Sequence, residues 1–118
     1  MRIINTRPHA ITFIYQDGHE ETIPPAGIVI NAIPEEEVVE SRNGIQIVRT
    51  AFRPDPQTEK LLEALIQPDA LIVGSVIAAQ AYPGKILGLV PAPGYERVPP
   101  EKRRMNPYKF ITFARKPS

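Results

Sequence analysis

The sequence predicts an α+β fold: a mixed, mainly antiparallel sheet or partial barrel of about six to eight strands, with one main helix and one short helix. Three observations lead there. Two β-rich runs are joined by Asp17-Gly18 and two more by Asn43-Gly44, pairs suited to hairpin turns. Asp55-Pro56 opens a Leu/Ile stripe with helical spacing that Pro68 closes. Strand-like Asp69–Val73, helix-like Val76–Tyr82 and strand-like Ile86–Val90 then follow one another.

Ile11–Gln16 and His19–Ile23 are the limbs of the first hairpin. A type I′ turn there would need positive φ at both Asp17 and Gly18. Pro24-Pro25-Ala26-Gly27 suits a type I turn, and Ile28–Ile33 reads as a strand. Glu37–Ser41 and Ile45–Phe52 form the second hairpin. Its return limb alternates imperfectly, which reads as a strand covered on both faces.

Asp55 can cap a helix over Pro56–Gln67, with Pro56 at the first helical position, where a missing N–H costs nothing. Leu61, Leu62, Leu65 and Ile66 share one face. Ser75 can cap the short helix over Ser75–Tyr82, and Pro83-Gly84 ends it. Its flanking strands would be parallel. Pro91–Pro107 carries five prolines and no apolar period, so it reads as a Pro-rich, basic extended loop, followed by a last strand over Tyr108–Ala114. Leu61, Leu65, Ile66, Leu71, Val73, Ile77 and Leu87 are the expected core.

The 118 residues suit a single domain, 1–118, with 42% hydrophobic and 23% charged residues, near globular averages. The absence of cysteine excludes disulfides, thiol nucleophiles and cysteine metal sites. No metal or cofactor is expected. Met1–Asn5 has no signal-peptide character and no apolar run reaches membrane length, so the chain is read as soluble, cytoplasmic and without a membrane partner. Fourteen prolines and two methionines lean toward a thermophilic source.

Charge is distributed unevenly. Met1–Gly94 holds 7 basic and 11 acidic residues, a balance of −4; Tyr95–Ser118 holds 7 basic and 2 acidic, a balance of +5. In that last stretch Arg97, Lys102, Arg103, Arg104, Lys109, Arg115 and Lys116 are interleaved with Tyr95, Tyr108, Phe110 and Phe113. Basic side chains suit phosphates and aromatic faces can stack bases, which makes this the candidate nucleic-acid surface.

Other constellations are weaker. His9, after Asn5-Thr6-Arg7-Pro8, has the chemistry of a general base or ligand, but no nucleophile or carboxylate stands at a fixed spacing. The structural alternative is that Asn5 and His9 shape a turn through backbone hydrogen bonds. His19-Glu20-Glu21 reads as an exposed hairpin limb and Glu35-Glu36-Glu37 as a solvated loop. Gly74-Ser75 could cradle an anion, but lacks the Walker frame; close packing at Gly74 and capping by Ser75 are the leading reading.

Taken in order, Asn5…Pro8-His9, a hairpin, Pro24-Pro25-Ala26-Gly27, Asn43–Thr50 and Leu71–Ala81 resemble a small family typical of bacteriophages, prophages and archaeal viruses. Its members open with Asn-Leu-Thr-Pro-His, then carry Pro-Pro-Ser-Gly, a Gly-Ile-Pro-Val-Val-Arg strand and a Val-Ser-x-x-Val-Ala segment. The resemblance covers about Ile3–Tyr82, with Thr6-Arg7 replacing Leu-Thr, Ala26 replacing Ser, and Gly74 before Ser75. Asn5, Pro8 and His9 match the opening motif without an assigned role. The resemblance implies a viral or prophage setting and no transferable activity.

Three functional expectations follow. The first is a non-catalytic accessory protein that binds a protein partner or itself, which requires an exposed apolar patch. The second is a nucleic-acid-binding domain, which requires the seven basic residues to converge. The third is an enzyme centred on His9, which requires a carboxylate or hydroxyl within reach of the imidazole in a pocket.

Overall fold

The structure, a computed structural model, describes residues 2–116. Its elements are β1 (Arg2–Asn5), β2 (Ile11–Ile14), β3 (Glu20–Ile23), β4 (Ala32–Arg42), β5 (Ile45–Pro54), α1 (Pro56–Leu65), β6 (Ala70–Val73), α2 (Val76–Ala81), β7 (Gly88–Pro91) and β8 (Met105–Ile111). They form the expected α+β fold. β3, β2, β8 and β7 lie side by side in that order, β1 pairs with β6, and β4 pairs with β5. The β2–β3, β4–β5 and β7–β8 ladders are antiparallel, while β1–β6 and β2–β8 are parallel.

A parallel bridge between Val73 and Leu87 links the β1–β6 pair to the start of β7. At the other end, the Asn5 carbonyl accepts from Ala26 N–H at 2.8 Å and the Asn5 amide donates to the Ile23 carbonyl. Six strands therefore run round an open, incomplete ring. The bridge also gives the expected parallel relation across α2, although over one residue pair only.

Local chemistry explains the helix ends. Asp55 accepts from Gln57 N–H with Pro56 following, and Ser75 accepts from Ala78 N–H. The stripe on α1 is narrower than its sequence: Thr58 and Leu62 are buried and Leu65 packs on the core, whereas Leu61 is 46% exposed and Ile66 is exposed as well. A ten-residue helix lying on one core presents a single row at i, i+4 and i+7, and Leu61 sits about 100° round from Leu62. Ile77 is likewise exposed, because α2 packs through the small side chains Ala78, Ala79 and Ala81. Of the remaining expected core, Val73 is fully buried and Leu71 and Leu87 are partly so.

Other expectations need correction. Gly18 has φ 91° but Asp17 is not in the left-handed region, so the first hairpin is not type I′. Tyr15 O accepts from Gly18 N–H and Tyr15 N–H donates to His19 O, which defines a three-residue loop with a bulge at Gly18. Ile28–Asn31 form no ladder: Ile30 is buried, and the Asn31 N–H and carbonyl bond to side chains instead. The last strand begins at Met105 and ends at Ile111, three residues earlier than expected. The Pro-rich loop is thus confined to residues 92–104, with one 3₁₀ turn at Pro100–Lys102, and Ala92 N–H to Arg104 O ties its ends together.

The largest departure is the second hairpin. β4 and β5 run from Ala32 to Pro54, well beyond the expected limbs, and residues 34–51 are exposed on both faces. The strand expected to be covered on both sides is instead solvated on both sides. Glu35-Glu36-Glu37, expected in a loop, is strand opposite Ala51, Thr50 and Arg49. Eleven residues at ~3.3 Å each give an arm about 35 Å long. It accounts for the 56 × 34 × 34 Å extents and a radius of gyration of 16.6 Å, against about 13 Å for a compact chain of this length.

Candidate functional site

Asn5 is buried, and all its side-chain bonds go to backbone. Its amide donates to the carbonyls of His9 (2.8 Å) and Ile23 (3.2 Å), and its Oδ1 accepts from Arg7 N–H (2.9 Å). The Asn-x-x-Pro-His segment is therefore a turn stapled from inside. Thr6 Oγ1 donates to Val73 O at 2.8 Å and lies so close to Gly74 that a Cβ there would come within 2.9 Å of it. Gly74 and Ser75 accordingly do the packing and capping expected of them. The His9 ring is exposed and has no side-chain hydrogen bond among the described residues; only its carbonyl is engaged.

The turn does present Arg7 and His9 to a cleft of about 450 Å³, which Arg103, Arg104 and Glu101 also line. Arg7 and Arg103 extend into an adjoining cleft of about 320 Å³ beside Ser75 and Glu96. Arg104 is already engaged: its Nε lies 3.0 Å from Glu20 Oε2, close enough for an ion pair though not aligned as a hydrogen bond.

The expected basic surface therefore divides. Arg103 and Arg104 meet Arg7 at the cleft. Arg97 and Lys102 are exposed on the Pro-rich loop, and Lys109, Arg115 and Lys116 are exposed on and after β8 without lining the cleft. The last two residues of the basic stretch lie outside the described residues.

Its aromatic residues serve the fold as well. Tyr108 accepts from Gln16 N–H and meets the Tyr15 ring edge-on at 5.9 Å, and Phe110 packs on Phe13 at 6.1 Å. Tyr95 shares a cleft with Tyr15 and Tyr108, and Phe113 is exposed. Partial burial and the Glu21 carboxylate hold the Tyr15 phenol above its ordinary range. On the adjacent turn, hydrogen bonds from the His19 backbone and ring hold the Asp17 carboxyl below its ordinary range.

The arm has a different character. At its root, Ala32 and Phe52 pack against the core. The buried Tyr82 hydroxyl accepts from Asp55 N–H at 2.9 Å and donates to Asn31 O at 2.9 Å, while Thr58 Oγ1 accepts from Asn31 N–H at 3.2 Å. One tyrosine thus clasps both ends of the arm. At its tip, Asn43 (φ 50°) and Gly44 (φ 78°) make the expected type I′ turn. Between tip and mid-arm, Val38, Val39, Ile45, Ile47 and Val48 are exposed, Ile45 at 65%. Sequence reading missed these residues as a site because β-branched residues in a strand normally signal a covered face.

Among the described residues no helix is long and apolar enough to cross a membrane, and no group of three or more His, Asp or Glu side chains is placed to hold a metal ion. No family model, curated protein or solved structure matches the chain.

Proposed function

We propose that this chain is a non-catalytic accessory protein of viral or prophage type that works in the cytoplasm by binding a protein partner through the β4–β5 arm. One observation carries the reading. The arm holds five large apolar side chains in water between its middle and its tip, Val38 and Val48 on one face and Ile45 and Ile47 on the other, where they contribute nothing to the core. Aliphatic side chains on a hairpin fit an apolar protein surface or a strand edge. The viral setting rests on the Asn5…His9 resemblance, and a thermophilic source on the proline content.

The test is a tagged pull-down from infected or native cells, with and without nuclease, comparing the unmodified chain with an Ile45→Ser, Ile47→Ser double variant. Nuclease-resistant capture that the double variant loses is expected. Equal capture by both would sink the reading.

A second reading has its own observation: Arg7, distant in sequence, joins Arg103 and Arg104 at the basic cleft. A nucleic-acid backbone would take phosphate contacts there from Arg7 and Arg103, with Lys109, Arg115 and Lys116 lying off this cleft. An anisotropy titration on random oligonucleotides at 50 mM salt addresses it. If about five phosphates are engaged, log K against log salt should slope near −4.5 on duplex, and Arg7→Ala with Arg103→Ala should flatten it by up to about two units. Absence of binding at tens of micromolar protein would discard this reading.

A further inference from the structure

The two open edges of the arm are built differently. β4 carries three devices that block strand addition: Pro34, which lacks a donor; a register shift between Val38 and Glu40; and four glutamates, Glu35, Glu36, Glu37 and Glu40. β5 carries none of the three before its terminal Pro54. Ile45-Gln46-Ile47-Val48 is uncharged, and Arg49 and Arg53 face Glu37 and Ile33, with Arg53 also ion-paired to Glu35 at 2.6 Å. A hairpin meant to stay free needs both edges blunted. Here one is blunted and the other is left ready to pair.

We propose that the occupant of the β5 edge is β5 of a second copy of this chain, antiparallel about a two-fold axis at Val48. This rests on the arm reading above and names the partner. Charge selects the edge: pairing β4 with β4 would bring eight glutamates together, whereas joining β5 to β5 puts the glutamate strands on the outside. The product is a four-stranded sheet whose only exposed edges are the two blunted ones, so assembly stops at two copies.

The register follows from symmetry and length. A two-fold axis normal to a sheet sets one residue opposite its own copy. Centred on Val48, the pairing brings the Asn43-Gly44 tip level with Phe52 and Arg53 of the second copy, where the arm root begins. Centred on Thr50, the tip would run on past Asp55 into α1 of the second copy. Centred on Arg49, two guanidinium groups would be opposed.

With the axis at Val48, the existing Val38–Val48 pair extends to a row of four valines across four strands. On the other face Arg49, opposite Glu37 in its own arm, meets Ile47 of the second copy, which is itself opposite Glu40. Valine thus meets valine on one face, and on the other each Arg49–Ile47 pair lies between Glu37 and Glu40 of the two outer strands.

The chain has no cysteine, so a single introduced thiol reports unambiguously. Val48→Cys should give a disulfide-linked dimer under mild oxidation, because opposite residues on adjacent strands lie within disulfide reach. Val38→Cys, three strand spacings or roughly 14 Å from its copy, should not. Sedimentation velocity of the unmodified chain should show a dimer, and Val48→Glu should weaken it at least tenfold. A monomer at every concentration, or equal cross-linking at both cysteine positions, would overturn the proposal. If the chain is monomeric while Val48→Glu still loses a protein captured from cells, self-pairing is wrong and the arm remains the binding element. If Val48→Glu keeps that capture too, the arm reading falls with it.

Discussion

The body and the arm use the same residue types to opposite ends. In the body, Phe13, Leu62, Val73, Tyr82 and Ile86 are fully or almost fully buried. In the arm, valines and isoleucines of equal hydrophobicity stand in water, held by one antiparallel ladder and a clasp at the root. A two-stranded hairpin alone is marginal in water, so the arm borrows its order from the body through Asn31 and Asp55. The difference teaches that a β-branched run specifies a strand without specifying what covers it.

The sharpest test of that contrast lies within α1. Leu62→Ala should destabilise the body by about 2–5 kcal/mol, whereas Leu61→Ala, one position round the helix, should stay within about 0.5 kcal/mol of the unmodified chain. Urea denaturation of the two variants measures both. Equal losses would mean the helix is seated differently.

Next is the clasp. Tyr82→Phe removes the hydroxyl shared by Asn31 and Asp55 and should cost about 1–3 kcal/mol. Its particular signature is faster amide hydrogen exchange along Ala32–Pro54, beyond any change in the body. Uniformly faster exchange would assign Tyr82 to the core alone and not to the arm.

At the arm tip, Ile45→Ser should move the stability of dilute protein by no more than about 0.5 kcal/mol, since the side chain buries little. A larger loss would show that the tip packs on something within its own chain.

The smallest effect belongs to the Asp17 turn. Because hydrogen bonds from His19 lower the folded-state value, the turn's stabilisation is present above the ordinary carboxyl value of 3.8 and is lost as pH falls through the lowered one. It should appear as a shift of the His19 amide resonance as pH falls below 3.8, absent in Asp17→Asn, with no measurable change in melting at neutral pH.

What the sequence determined by itself was punctuation. Asn43-Gly44 set the arm tip, Asp55-Pro56 and Ser75 set the helix starts, and Asp17-Gly18 placed the first hairpin, because caps and tight turns depend on the φ preferences and hydrogen bonds of neighbouring residues. Asn5 and Gly74 were legible as structural positions for the same reason. Tertiary structure alone decided which leucine of the α1 stripe is buried, that Arg7 meets Arg103 at one cleft while Lys109 and Arg115 stay away, and that the β4–β5 hairpin leaves the core. Those outcomes depend on pairings between distant segments, β1 with β6 and β2 with β8, and on Tyr82 reaching both Asn31 and Asp55. Local composition carries no record of them, since a strand that pairs on one edge and faces water on both sides is built from the same residues as one that lines a core.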